Sequence, residues 1–113
     1  MLRDLTLGII RLHILYHAAR APIYGAWLAE ELARHGHRLS YGTLYPALHK
    51  MQEEGLLVRE DRHEGGRIRK YYRATPAGRA ALTEARRLLA ELRLEVDEDV
   101  GPDPPDTPVG EHR

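Results

Sequence analysis

The chain has 113 residues, no cysteine, and 17 acidic against 17 basic side chains, a length that suits one domain with a feasible core. The lack of cysteine excludes disulfides, thiolate zinc sites and cysteine nucleophiles, and it fits a reducing compartment, so a cytoplasmic location is expected. No apolar run approaches the roughly 20 residues of a membrane span, and the opening Met1-Leu2-Arg3-Asp4-Leu5-Thr6 lacks the pattern of a signal peptide, so no membrane partner is expected.

Residues 2 to about 20 read as a helix with two apolar faces: Leu2, Leu5, Ile9, Leu12 and Tyr16 on one side, Leu7, Ile10 and Ile14 roughly opposite. A single core cannot bury both. The second cover is most simply another copy of the chain, unless one stripe is only the edge of a wide internal face. Ala21-Pro22 closes the helix, because the residue before a proline is pushed out of helical angles. Tyr24-Gly25 opens a second helix, whose buried side is Ala26, Leu28, Ala29, Leu32 and Ala33, and Gly36 ends it.

After a short turn at His35 to Leu39, Ser40 can cap a third helix, residues 40–54, by accepting a hydrogen bond from a free N–H of its first turn. Leu44, Ala47, Leu48 and Met51 form its apolar stripe. Its other side carries Gly42, Tyr45, Pro46 and His49, with Thr43 and Lys50 beside them, a surface that wants a partner. Pro46 inside a helix would cost about 3 kcal/mol, and a loose first turn, or Thr43 acting as the cap, removes most of that. Two helices joined by so short a turn make a helix-turn-helix.

Gly55 ends the third helix. Leu56 to Arg62 reads as a strand, His63 to Arg67 as a turn around Gly65-Gly66, and Ile68 to Ala74 as the return strand. Arg67, Arg69, Tyr71 and Arg73 alternate with Ile68, Lys70, Tyr72 and Ala74, so a basic face backs a mostly apolar one, as in a wing. Thr75 caps a last helix with Pro76 at its first position. Leu82, Ala85, Leu89, Leu92 and Val96 then make a heptad seam too short for an independent coiled coil, so it should pack on a partner helix.

The fold expected from this order is mainly α with a small β-hairpin. It comprises a winged helix-turn-helix domain over residues 1–75, a C-terminal dimerisation helix over 76–97 and a disordered acidic, proline-rich tail over 98–113. Residues 97–113 hold six acids against Arg113 alone, which leaves 16 basic and 11 acidic side chains in residues 1–96. A basic domain carrying a helix in need of a partner points to double-stranded DNA.

The stretch Tyr41-Gly42-Thr43-Leu44-Tyr45-Pro46-Ala47-Leu48, then Glu54-Gly55-Leu56, then Gly66-Arg67 leading to Lys70-Tyr71-Tyr72-Arg73-Ala74-Thr75-Pro76-Ala77-Gly78, closely resembles the PadR family of bacterial transcriptional regulators. The leucine-rich first helix and Tyr24-Gly25 match as well, so the resemblance covers roughly residues 2 to 96. It implies a homodimeric repressor in which the helix at 40–54 enters the major groove, the wing touches phosphates, and the first and last helices build the dimer. The single C-terminal helix resembles the short branch of the family. Ala74 departs from the pattern, standing where the family usually has a larger aliphatic residue, which would loosen the contact beneath the wing. The last helix also lacks an aromatic residue, whereas some short relatives hold flat drugs between aromatic side chains there, so the resemblance leaves the small-molecule effector open.

Candidate DNA contacts are Ser40, Tyr41, Thr43, Tyr45, His49 and Lys50 on the helix and Arg67, Arg69, Lys70 and Arg73 on the wing, with Ser40 presenting the positive helix end to a phosphate. The plainer alternative packs Tyr45 at a helix end and leaves the polar residues solvated. Arg59 and Arg62 are weaker candidates, because Glu60, Asp61 and Glu64 lie close enough to pair with them. Candidate dimer contacts are Leu5, Ile9, Leu12, Leu82, Leu89, Leu92 and Val96.

Trp27, the only tryptophan, is a candidate wall of an effector pocket or else a packing residue. His13 and His17 are spaced for a metal, as are His35 and His37, but neither pair has a third ligand near it in the sequence, so no metal or other cofactor is expected. No nucleophile motif, phosphate loop or pocketed carboxylate pair supports an enzyme. The competing expectation is a winged-helix module that binds protein or ligand without an operator.

Overall fold

The computed structural model describes residues 1–98. In chain order they form α1 (Leu2–Arg20), β1 (Ile23–Tyr24), α2 (Gly25–Arg34), α3 (Tyr41–Glu53), β2 (Leu57–Glu64), β3 (Arg67–Ala74) and α4 (Pro76–Glu98). The expected tail lies outside the described residues except for Glu98, which α4 includes. No described helix is long and apolar enough to cross a membrane.

The core forms where three helical stripes meet one face of the sheet. Ile10, Ile14, Leu15 and Ala18 of α1, Leu28 and Leu32 of α2, and Leu44, Leu48 and Met51 of α3 close over Ile23, Leu57, Tyr72 and Ala74. Three- and four-residue spacing puts each helical set on one side of its helix. On α1 this buried side is the Ile10 and Ile14 face. Leu7, expected on the same face, is exposed, because it lies a turn beyond the reach of the core.

The sheet has a strand that the sequence pattern does not announce. Past Pro22 the backbone is extended, and Ile23 and Tyr24 pair antiparallel with Tyr72 and Tyr71, giving the order β1-β3-β2. The wing itself is tighter than expected. β2 and β3 stay in register from Leu57 opposite Ala74 to Glu64 opposite Arg67, so only Gly65 and Gly66 form the turn. Their φ angles of +57° and +80° are the two positive values that a tight hairpin needs. Ala74 is buried and still pairs with Leu57 at the end of the ladder, so the expected loosening does not reach the backbone pairing.

The two faces of β3 differ from the simple alternation. Tyr71 is buried among the arginines, and Ile68 is exposed on the face expected to be apolar. Only the base of the hairpin lies over the core, so Ile68, near the tip, has solvent beside it. Tyr71 is covered instead by β1, with the Tyr24 ring edge-on at 5.4 Å.

α3 begins at Tyr41 and runs without interruption past Pro46. The cap that Ser40 was expected to provide is absent: its hydroxyl donates to Thr43 Oγ1 at 3.3 Å, and no backbone N–H donates to it. The Ser40 carbonyl serves instead, accepting from the N–H groups of Thr43 at 3.0 Å and Leu44 at 2.9 Å. Thr43 therefore sits inside the first turn and is not the cap. Thr75 does cap α4, accepting from the Gly78 N–H at 3.0 Å while donating to the Gly55 carbonyl.

Gly78 is the tightest point between α4 and the rest of the domain. A β-carbon there would collide with the Leu56 carbonyl, a backbone atom that cannot swing away. The start of α4 is thereby held against α1 and β2. Leu82 and Ala85, half-buried, pack in the direction of α1 of the same chain, and from Arg86 onward α4 is exposed on every side.

Candidate nucleic-acid interface

The residues expected to meet DNA separate into exposed and packed groups. Ser40, Tyr41, Thr43, His49 and Lys50 are exposed on α3, and Arg67, Lys70 and Arg73 are exposed on the wing. Tyr45 and Arg69 are half-buried. Tyr41, Tyr45 and His49 follow at four-residue spacing and form a ridge, with the first two rings 5.9 Å apart. Tyr45 also packs α3 on the start of α2, because its hydroxyl end lies against Gly25, where any side chain would collide with it.

A cleft joins the helix to the wing. Its walls are Tyr24, Gly25 and Ala26 at the start of α2, Tyr45 of α3, and Arg67 to Lys70 of β3. The first turn of α2 contains no acid and Tyr24 gives it no side-chain cap, so its free N–H groups add positive potential to this cleft. Sequence reasoning did not assign this role to α2. The available signal was Tyr24-Gly25 directly before an amphipathic helix.

Ion pairing sorts the wing cations. Arg73 faces Glu60 at 3.6 Å, Arg69 faces Glu64 at 3.6 Å, Arg62 faces Glu60 at 3.3 Å and Arg59 faces Asp61 at 3.1 Å. Arg69 also lies over the Tyr24 ring and Arg62 over the Tyr71 ring, each 4.2 Å from the centroid, while the Tyr71 hydroxyl donates to Glu64 at 2.9 Å. Stacking of this kind spends the planar faces of both guanidinium groups. Arg67 and Lys70 have no ion-pair partner among the described residues, and neither do Lys50 and His49 of α3.

The expected dimer contacts do not cover one another within the chain. Leu5, Ile9, Leu89, Leu92 and Val96 are exposed, and Leu12 and Leu82 are half-buried. Between α1 and α4 lies an apolar trough lined by Ile9, Leu12, Tyr16, Leu82, Ala85 and Leu89, with His13, His17 and His35 at its edge. Trp27 stands away from this trough. It meets His17 edge-on at 5.3 Å and walls a separate cleft with Tyr16, Arg20 and Pro22.

Neither histidine pair has a third candidate ligand near it in the sequence, but the fold brings one to it. The crossing of α1 on the end of α2 brings His13, His17 and His35 together, with one ring nitrogen from each, the three lying within 4.8 Å of one another. Glu31 joins them, its Oε2 lying 3.2 Å from His35 Nε2 and 3.6 Å from His17 Nε2. His37 contributes a ring 5.4 Å from that of His13. Burial pushes the affinity of His13 and His17 for protons below the ordinary histidine value, and for His13 the neighbouring rings of His35 and His37 push in the same direction. The Arg34 hydrogen bond holds the Glu31 carboxyl below its usual value.

A helix-turn-helix whose second helix exposes a polar, aromatic ridge beside a wing with unpaired cations defines a winged-helix regulator. Residues 14–84 match the Transcriptional regulator PadR-like family, and the chain belongs to that family. It is 59% identical over 95 residues to Transcriptional regulator Rv3488 of Mycobacterium tuberculosis, across 84% of this chain and 89% of that protein. Among solved structures, a PadR family transcriptional regulator from Eggerthella lenta superposes with a TM-score of 0.76 at 32% identity, covering 91% of each chain. A PadR-like transcriptional regulator from Bacillus cereus gives 0.76 at 30% identity over 85% of this chain and 95% of that one. The chain is a transcriptional regulator, a class that acts by binding DNA, and not an enzyme.

Proposed function

We propose that the chain works as a homodimeric, sequence-specific repressor of an inverted-repeat operator, released by a small-molecule or stress signal. The observation that carries this reading is the exposure of Tyr41, Thr43, His49 and Lys50 on α3 together with Arg67 and Lys70, which have no ion-pair partner among the described residues, on either side of a cleft where Tyr45 meets the wing. α3 enters a major groove there, with Tyr41, Thr43, His49 and Lys50 toward bases and phosphates, Ser40 at the positive helix end, and the wing cations on the flanking backbone. Tyr45, Arg69 and Arg73 act at its margin, since each already has a partner in the fold.

Dimerisation is supported by the apolar residues at the free ends of α1 and α4. A helix end that is exposed all round gains nothing from tertiary packing and is marginal in water on its own. A second copy related by a two-fold axis, laying its own Leu5, Ile9, Leu89, Leu92 and Val96 on the same residues, buries both ends at once. Residues 76–97 then serve as the dimerisation helix and 1–75 as the DNA-binding domain. Two copies of α3 reach successive major grooves when their half-sites are about one helical turn, roughly 10 bp, apart. A signal received between α1 and α4, or beside Trp27, changes that separation and releases the operator.

Titrating the protein with the intergenic DNA upstream of its own gene, across a salt series, tests the reading. A preferred sequence is expected, with an affinity that falls steeply as salt rises. Absence of any preference even at low salt would favour a winged-helix module that binds protein instead.

A further inference from the structure

The histidine cluster has the composition of a metal centre. It is built from two pairs with the same four-residue spacing, His13 and His17 on α1 and Glu31 and His35 at the end of α2, so each helix presents two donors on one side. His17 Nε2 is buried and has no hydrogen-bond partner among the described residues. A buried ring nitrogen left unpaired is costly, and here it points to a ligand. Glu31 is already oriented to complete the donor set, since Arg34 holds its Oε1 while Oε2 faces the histidines.

We propose that His13, His17, His35 and Glu31 bind one divalent transition-metal ion of the zinc class. Three imidazoles and one carboxylate match the nitrogen and oxygen ligands of such an ion, and the absence of cysteine leaves no thiolate to select a softer one. Metal–nitrogen bonds of about 2.0–2.1 Å place tetrahedral donors roughly 3.3 Å apart. The three histidine donors now lie within 4.8 Å of one another, and Glu31 Oε2 lies 3.2 Å from His35 Nε2 and 3.6 Å from His17 Nε2, so the set must close by about an ångström around the ion. Arg34, on the opposite oxygen of Glu31, steadies the carboxylate as an outer partner.

The ion ties α1 to the turn that leads into α3. His35 is the residue that follows α2, and the recognition helix starts six residues later at Tyr41. Metal binding therefore fixes the path of that turn and the angle of α3 against α1. This consequence rests on the operator-binding reading above, whereas the site itself does not. The metal is then the signal, or one of the signals, that the regulator senses.

The test uses the full chain without a histidine tag. Calorimetric titration of metal-free protein with zinc is expected to give one ion per chain, and cobalt to give the intense visible bands of a tetrahedral centre. Bound zinc should raise the melting temperature, and cobalt should quench Trp27, whose ring adjoins His17. His35→Ala, at an exposed position, and His13→Ala should abolish the cobalt bands, and Glu31→Gln should weaken zinc binding roughly tenfold or more. His63→Ala on the wing should leave binding intact. Unsaturable binding, one ion per two chains, or unchanged affinity in the His13→Ala/His35→Ala double variant would overturn the site. Operator affinity measured with and without zinc tests the coupling separately: an unchanged value with zinc bound removes it, while protein that prefers no operator either with or without zinc refutes the operator reading and leaves the metal result standing.

Discussion

The outer side of α3 and the free ends of α1 and α4 are both uncovered, yet they uncover different chemistry. α3 exposes Ser40, Thr43, His49 and Lys50, groups that water satisfies as well as a partner does. The helix ends expose Leu2, Leu5, Leu88, Leu92 and Val96, each more than half exposed, which water does not satisfy at all. One surface can wait for its partner, and the other cannot. On the proposed reading the difference separates a regulated contact with DNA from a standing contact between copies, and it implies that the body of the domain and its helix ends fail in different ways.

The largest effect should come from the body. Leu48 is fully buried between α3 and the sheet, and Leu48→Ala should lower stability by about 2–5 kcal/mol in urea unfolding, by the same amount at every protein concentration. Leu92→Asp on the free end of α4 should behave oppositely. If the proposed seam is right, losing this exposed leucine from both copies should weaken dimerisation by roughly a hundredfold or more, read by analytical ultracentrifugation, and leave the fold of the single chain in place. A dimer that tolerates Leu92→Asp would place the seam elsewhere and undo the contrast between the two regions.

What the sequence makes legible follows the same division. The buried stripes of α2 and α3, the glycine turn of the wing and the Thr75 cap are local patterns, and each is found where spacing puts it except at Ala26, which is exposed on the first turn of α2 while its neighbour Gly25 is buried. β1 is too short, at two residues, to carry an alternation, and it exists because β3 offers it an edge. Tyr71 is buried because Tyr24 of β1 and Arg62 of β2 cover it across the sheet, so no reading of β3 alone separates it from Arg69 and Arg73. The side of α3 proposed to face DNA is legible as an odd surface, but the contribution of the start of α2 is not, since it depends on where Gly25 meets Tyr45. The histidine cluster was hidden for a related reason. Its donors come in two pairs on separate helices, and only the crossing of α1 over α2 makes them neighbours.

The wing offers a finer division inside the DNA surface. Arg67→Ala and Lys70→Ala should each weaken binding to all sequences and reduce the slope of log affinity against log salt by about one, because each loses a cation free to meet a phosphate. Arg69→Ala and Arg73→Ala should change the slope less, since Glu64 and Glu60 already offset their charge. Equal slopes for all four would mean that DNA breaks the ion pairs as it binds.

The smallest effect concerns an ion pair between Arg11 of α1 and Glu54, the residue that closes α3. Both side chains are more than a third exposed, so solvent screens the pair and Glu54→Gln should cost less than about 1 kcal/mol in stability. Its position gives it more interest than its energy. It links α1, which carries part of the proposed dimer surface, to the C-terminal end of α3, opposite the end that follows the His35 turn. If the angle between α1 and α3 sets the operator spacing, Glu54→Gln should alter affinity for operators lengthened or shortened by one base pair more than it alters affinity for the preferred one, with dimerisation unchanged. A uniform loss across all three spacings would assign Arg11 and Glu54 to general electrostatics and leave the alignment of α3 to the core packing of Leu44, Leu48 and Met51.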